Sequence, residues 1–220
     1  MNKPIIFCDF DGTITNTDNI IAIMRKFAPL GWEEIKDQVL SQAIPIQEGV
    51  SKMFSLLPSA MREEITEYIL NHAEIRNGFK EFVAFTKEQE IPLYIVSGGI
   101  DFFVEPLLEG LVPKEQIYCN KSDFSNERIT ILWPHTCDEE CNNECGCCKP
   151  TLIRKLANQD QFKIVIGDSI TDLEAAKLAD KVIARDFLVE KCNQLDIEHS
   201  PFHSFFDVID ILKKEVVPSA

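Results

Sequence analysis

The sequence predicts an α/β fold, a Rossmann-like parallel sheet core with helices on both faces and an inserted all-helical cap. Three observations carry this. Short apolar runs alternate with helical periodicity through the second half of the chain, the pattern of a parallel sheet wound with helices. A block of about sixty residues after the first apolar run shows helical spacing only. Acidic, hydroxyl-bearing or glycine-rich stretches stand where predicted strands stop, the place where open α/β sheets bind ligands. The expected division is 1–14 and 75–220 as core, with a hairpin and Cys-rich insertion at 121–148, and 15–74 as the helical cap.

The elements follow in order. The run from Pro4 to Phe7 is the first strand, and Thr17-Asp18 offers an N-cap to "NIIAIMRKFA". "WEEIKDQVLSQA", "PIQEGVSKMFSLL" (with Pro45 suited to a first turn) and "SAMREEITEYILNHA" complete the helical block. "GFKEFVAFTKEQE" reads as an amphipathic helix and "IPLYIVSGG" as a buried strand ending in glycines. Then come a strand "QIYCN", a hairpin "DFSNERITILWP", a helix opening at Lys149-Pro150, and the alternating "FKIVIGD", "ITDLEAAKLA" and "KVIARD". The aromatics of "SPFHSFFDVIDILKK" have helical spacing and are assigned to the core.

The chain has 220 residues, 45% of them apolar and 26% charged, with a formal charge of -14. That charge argues against nucleic acid as a partner. No apolar stretch approaches the roughly 20 residues that span a bilayer, and acid follows the first apolar run too soon for a secretory signal. The expectation is a cytoplasmic protein acting on a small molecule. Of eight cysteines, Cys137, Cys141, Cys145, Cys147 and Cys148 crowd into one segment, while Cys8, Cys119 and Cys192 read as buried small hydrophobes.

The chemistry is concentrated in four places. In "FCDFDGTITN", Asp9 and Asp11 at i and i+2 share one side of an extended strand, and like charges held so close call for a cation. "VSGG" brings Ser97, Gly98 and Gly99, Lys149 stands at a helix start, and "GDSITD" brings Asp168 and Asp172. Each stretch alone has a plain reading: a strand running into a turn, a helix N-cap, a solvated lysine, a first-turn acid. Together they suit a phosphate monoester. Asp9, Asp11 and Asp168 are hard oxygen donors for Mg²⁺, Asp11 through its main-chain carbonyl. Asp9 is the candidate nucleophile and Asp11 the candidate general acid and base. Ser97 and the Gly98-Gly99 amides, opening a helix, are donors to phosphate oxygens, and Lys149 supplies positive charge. Thr13 supports the first turn, while Asp172 holds metal waters or orients Lys149.

The order D-x-D-G-T, S-G-G, K-P and G-D-x-x-x-D resembles the haloacid dehalogenase superfamily of phosphohydrolases, across most of the chain. The helical block is similar to that superfamily's first-type cap. The resemblance implies a Mg²⁺-dependent phosphatase working through an aspartyl-phosphate on a small phosphorylated metabolite. A phosphoserine phosphatase-like enzyme and a phosphomutase are alternatives, and a receiver-like signalling domain is the non-enzymatic one. Phosphoserine phosphatases place Glu nine residues after the nucleophile; Asp18 stands there and is a candidate specificity residue.

The segment "HTCDEECNNECGCCKP" leaves three readings open: a structural Zn²⁺ held by Cys137, Cys141, Cys145 and Cys148, a redox-sensitive loop, or packing thiols. In each case it runs directly into Lys149.

Overall fold

Every second residue of the first strand points the same way, and this sets the layers. The computed structural model describes residues 3–141 and 146–216. In β1 (Pro4–Cys8), Ile6 and Cys8 enter one apolar cluster, while Ile5 and Phe7 enter another on the opposite face. Both faces are thus buried, so the strand reads as a continuous apolar run. The sheet has seven strands in spatial order β4-β3-β2-β1-β5-β6-β7, all parallel except β4. The others are β2 (Leu93–Ile100), β3 (Ile117–Asp123), β4 (Thr130–Leu132), β5 (Phe162–Gly167), β6 (Lys181–Ala184) and β7 (His199–Pro201).

Between β1 and Ala73 the chain forms the helical block: α1 (Asn19–Phe27), α2 (Trp32–Leu40), α3 (Ile46–Ser55) and α4 (Arg62–His72). Asp18 caps α1 by accepting the Ile21 amide at 3.0 Å. Pro45 is the N-cap of α3 rather than a first-turn residue, its extended ψ of 153° turning the chain into the helix. Beyond the isolated bridge Thr15↔Ile75 at the base and Pro58↔Arg128, this block pairs with no strand among the described residues.

The larger cluster joins β1 and β2 to α5 (Phe79–Glu88), α6 (Asp101–Leu107) and α10 (Phe205–Glu215), and it also takes in Ile23, Phe54 and Ile65 of the helical block. Phe79, Phe82 and Phe205 meet with ring centroids 5.0 to 6.2 Å apart, each fully buried. Such a ring contributes about 1.5–3 kcal/mol when taken from water. On the other face, α7 (Lys149–Leu156) and α8 (Leu173–Ala176) pack on Ile5, Phe7 and Val165, and α9 (Asp186–Gln194) packs beside them through Leu188 and Cys192.

Two elements depart from the sequence reading. The β2 strand continues through Ser97, Gly98 and Gly99 to Ile100, with a register shift against β3 between Val96 and Ile100, and α6 opens only at Asp101. Residues 181–186 stop being strand at Ala184, and α9 follows from Asp186. The hairpin forms as expected, with Lys121, Ser122 and Asp123 opposite Leu132, Ile131 and Thr130. Cys8, Cys119 and Cys192 are buried. No helix among the described residues is long and apolar enough to cross a membrane.

Candidate active site

The first strand ends at Cys8, and the chain then folds on itself: the Phe10 carbonyl accepts from the amides of Thr13, Ile14 and Thr15. Phe10 is fully buried, so the aspartates on either side of it are left to the strand's end. Gly12 has φ +81°, and a Cβ there would overlap the Asp168 carboxylate. The turn therefore needs glycine for its backbone and for the close approach of a second acid.

Three separate segments meet at Asp9, and a fourth, Ser97 to Gly99, reaches Asp11. Lys149, the first residue of α7, sends its ammonium across the sheet edge to Asp9 Oδ1 at 2.5 Å and to Asp172 Oδ1. All three side chains are nearly excluded from water, at 6% exposure or less. The second oxygen of Asp172 accepts from the amides of Asp168 and Ser169, each at 3.1 Å, and from the Ser169 hydroxyl at 3.3 Å. Asp172 thus orients Lys149 and closes the turn after β5 at once. Asp168 takes the Thr13 hydroxyl on Oδ1 at 2.7 Å, which ties the first turn to that second one.

Ser97 is fully buried and its hydroxyl accepts the Gly99 amide at 2.9 Å. Gly98 faces open space, and its carbonyl accepts from Asn120 at 2.8 Å. At Gly99 a Cβ would stand 2.6 Å from Asp11 Oδ2, so this glycine admits the Asp11 carboxyl. Strand β2 thereby presents Ser97 and Gly98 from a strand end, where the sequence suggested a helix start.

The Asp11 carboxyl is bonded to the start of α1. Its Oδ1 accepts from both the amide and the Nδ2 of Asn19, at 3.0 and 2.7 Å, while Oδ2 is buried and has no hydrogen-bond partner. Burial, and then the charge of Asp18, push the Asp11 carboxyl well above the usual range, against the downward pull of the Asn19 bonds. The result is a carboxyl held by one oxygen, with the other buried beside Gly99 and the proton held more tightly than by an ordinary aspartate.

Asp9, Asp168 and Asp172 each bring a carboxylate oxygen within 4.8 Å of the other two. The structure does not bring the Asp11 carboxylate into that set, because Asn19 holds it elsewhere. Burial raises Asp9 to about 6 although Lys149 pulls it down, and burial followed by the charges of Asp9 and Asp172 raises Asp168 to about 9. Lys149 moves up: burial opposes its charge, but Asp172 and Asp9 outweigh burial. Three carboxylates against one ammonium leave two negative charges uncompensated, the charge of one divalent cation. Lys149 and the backbone take both oxygens of Asp172, whereas Thr13 and Lys149 each engage one oxygen of Asp168 and Asp9. Hard oxygens of that kind suit Mg²⁺.

Two residues of the site were not found from the sequence. Asn19, 1% exposed, looked like the start of an apolar helix, and its grip on Asp11 exists only once α1 folds back on the turn. Arg76 stands between the elements read from the sequence. Its guanidinium donates to the carbonyls of Thr13 (2.7 Å), Gly12 (2.8 Å) and Thr15 (3.1 Å), and it is 8% exposed. It clamps the whole D-G-T turn from behind. Asp18 lies at the surface as the α1 cap, and of the cysteine set, Cys145 lies outside the described residues.

A family model described as haloacid dehalogenase-like hydrolase matches residues 6–177, from within β1 to the end of α8. The chain belongs to the haloacid dehalogenase-like hydrolases. That span holds every residue of the four-segment site. The 2-hydroxy-3-keto-5-methylthiopentenyl-1-phosphate phosphatase of Geobacillus thermodenitrificans is 63% identical over 210 residues, covering 96% of each chain. The enzyme of the same name from Bacillus cereus is 60% identical over 208 residues, covering 94% of this hydrolase and 95% of the relative. Among solved structures, phosphoserine phosphatase from T. onnurineus superposes with TM-score 0.72 at 17% identity, covering 96% of this chain and 95% of that one. A phosphoserine phosphohydrolase-like protein from Francisella tularensis gives 0.70 at 17% identity, covering 95% and 99%. At those identities the likeness is one of fold.

Proposed function

We propose that this hydrolase is a Mg²⁺-dependent phosphomonoesterase that removes the phosphate of 2-hydroxy-3-keto-5-methylthiopentenyl 1-phosphate, a step of methionine salvage, through an aspartyl-phosphate on Asp9. The substrate rests on the 63% identity to a phosphatase of that name over nearly the whole chain. The chemistry rests on one observation, the meeting of Asp9, Lys149, Asp168 and Asp172 from segments far apart in sequence.

Asp9 and Asp168 would hold Mg²⁺, with the Asp11 main-chain carbonyl beside them; when bound, the ion neutralises the carboxylates and the incoming phosphoryl oxygens. Lys149 holds Asp9 by Oδ1, which leaves Oδ2 to attack phosphorus. As the new O–P bond forms, the bond from phosphorus to the substrate's carbon-linked oxygen breaks, and the electron pair stays on that oxygen. Asp11 donates its Oδ2 proton there, which releases the hydroxylated product. The resulting Asp11 carboxylate then takes a proton from the water that attacks the aspartyl-phosphate, returning Asp9 and freeing inorganic phosphate. Ser97 and the Gly98 amide receive phosphoryl oxygens, and Lys149 stabilises the charge that gathers on them. The helical block 15–74 acts as the cap that closes over this edge and selects the organic part, with Asp18 on its approach.

A phosphate-release screen over methionine-salvage intermediates, sugar phosphates and phosphoserine tests the reading. The highest kcat/KM is expected for the methylthiopentenyl phosphate, with no turnover in chelator and none in Asp9→Asn. Preference for phosphoserine would remove the substrate, and turnover by Asp9→Asn would remove the nucleophile.

A further inference from the structure

The cysteine loop is not used by the phosphatase chemistry, yet its geometry is specific. Cys137, Cys141 and Cys148 place their sulfurs within 4.8 Å of one another. Cys148 is fully buried and Cys141 is 8% exposed. Their neighbour Cys147 behaves differently: its thiol points the other way, donating to the Tyr118 carbonyl at 3.7 Å, and burial pushes it far up. Adjacent cysteines therefore have opposite fates, one in the apolar core and one facing two further sulfurs.

The surroundings of Cys148 suit a negatively charged sulfur. Cys148 is the N-cap of α7, where the helix's unpaired amides and dipole stabilise negative charge. The Thr151 hydroxyl donates to Cys148 Sγ at 3.1 Å and accepts the Asp138 amide at 3.0 Å. Asp138 is itself forked onto Arg154, with Nε–Oδ2 at 2.8 Å and a second bond from Nη2, and its carbonyl accepts the Cys141 amide at 3.2 Å. The His135 carbonyl accepts the Cys148 amide at 2.8 Å. Cys148 is thus held by Thr151, and Asp138, which accepts the Cys141 amide, is tied to α7 through Thr151 and Arg154.

We propose that Cys137, Cys141 and Cys148 bind a structural zinc ion that fastens residues 137–141 to the start of the helix carrying Lys149. Thiolates around zinc at about 2.3 Å in tetrahedral array stand about 3.8 Å apart, so the observed cluster needs to contract by no more than about 1 Å. A disulfide would use two of the three sulfurs and strand the third. Binding releases the three thiol protons to solvent and involves no change of oxidation state. Soft thiolates select zinc, whereas the hard carboxylates at Asp9 and Asp168 select Mg²⁺, so the two ions do not compete for one site. Two further thiols stand between Cys141 and Cys148 in the sequence: Cys147, turned to Tyr118, and Cys145, outside the described residues.

The test reads metal and not turnover, so it is independent of the phosphatase reading. Protein purified without chelator and exchanged into Mg²⁺ buffer should retain about one zinc per chain by elemental analysis. Cobalt or cadmium exchanged into the site should show a thiolate charge-transfer band. Cys137→Ser, in a half-exposed loop position that tolerates the change, should lose the band and most of the zinc, and Cys148→Ser should do the same. Cys147→Ala should keep both. X-ray absorption should give three or four sulfurs around zinc. Zinc-free wild type that is folded, a disulfide within the set by mass spectrometry, or full zinc in folded Cys137→Ser would each overturn the proposal.

Discussion

Removing the Asn19 side chain separates positioning of Asp11, the proposed general acid, from everything else at the site. Asn19→Ala keeps the backbone amide bond to Asp11 Oδ1 at 3.0 Å but deletes the 2.7 Å bond from Nδ2. A buried hydrogen bond to a carboxyl contributes about 1–3 kcal/mol, and about 1.4 kcal/mol is tenfold in rate. If that energy holds Oδ2 on its line of proton delivery, kcat/KM falls between about 5- and 150-fold. The second consequence has a sign. Both Asn19 bonds hold the Asp11 pKa down against burial and the charge of Asp18. Losing one raises it further, so the alkaline limb of kcat/KM, where free enzyme loses the Asp11 proton, moves to higher pH. Phosphate release measured from about pH 5 to about pH 10 at saturating Mg²⁺ reads both effects. A thermal melt accompanies it, because Asn19 also bonds Thr15 Oγ1 at 3.2 Å. An unchanged rate with an unmoved alkaline limb would refute the assignment of Asp11 as the acid that Asn19 positions.

The other expectations concern charge. Asp172→Asn breaks a buried ion pair with Lys149 and should destabilise the fold by about 3–5 kcal/mol in a urea titration, with kcat lowered as Lys149 loses its second anchor; wild-type stability would show that Lys149 does not depend on it. Asp9 at about 6 and Asp168 at about 9 sit above their ordinary value of 3.8, so chelated, folded protein binds more protons than unfolded chain across that interval. Its stability should therefore fall as pH rises from about 4 to about 9, and saturating Mg²⁺ should flatten the slope. Because the ion must displace a proton from Asp168, apparent Mg²⁺ affinity should rise with pH by up to about tenfold per unit below about 9; calorimetry showing no dependence on pH would contradict it.

What the sequence discloses and what it withholds follow from the range of the interactions. Asp9, Ser97 and Asp168 are legible because each sits where an apolar run stops, and strand ends converge in a parallel sheet whatever the details, whereas Lys149 is legible only by its place in the order of motifs. That the glycines do not open the helix, which starts only at Asp101, was not legible, since glycine is a common punctuator and the register shift that carries β2 on to Ile100 depends on β3. The short α6 contains Pro106, and β7 is three residues ending in Pro201, so neither carries a propensity that could announce it. Asn19 and Arg76 act through contacts 8 and about 60 residues away in sequence, with partners that are backbone atoms or an acid already assigned another task. Nothing local marks them.

The pairing of Asp9 with Lys149 looks at first like an obstacle to nucleophilic attack, since an ammonium at 2.5 Å draws charge from the oxygen it touches. The balance of effects resolves this. Burial outweighs the lysine, and Asp9 ends above, not below, the ordinary carboxylate range, at about 6. An anion that water solvates poorly and a neighbour neutralises incompletely keeps its basicity, and with it much of its power as a nucleophile. Lys149 is also shared: Asp172 holds it from the other side while anchored to the turn that carries Asp168. The ammonium can therefore turn toward phosphoryl oxygens as charge develops on them without leaving the site, and Asp172 remains as its tether. A lysine paired with Asp9 alone would have to choose between restraining the nucleophile and stabilising the transition state; one held between two carboxylates does not.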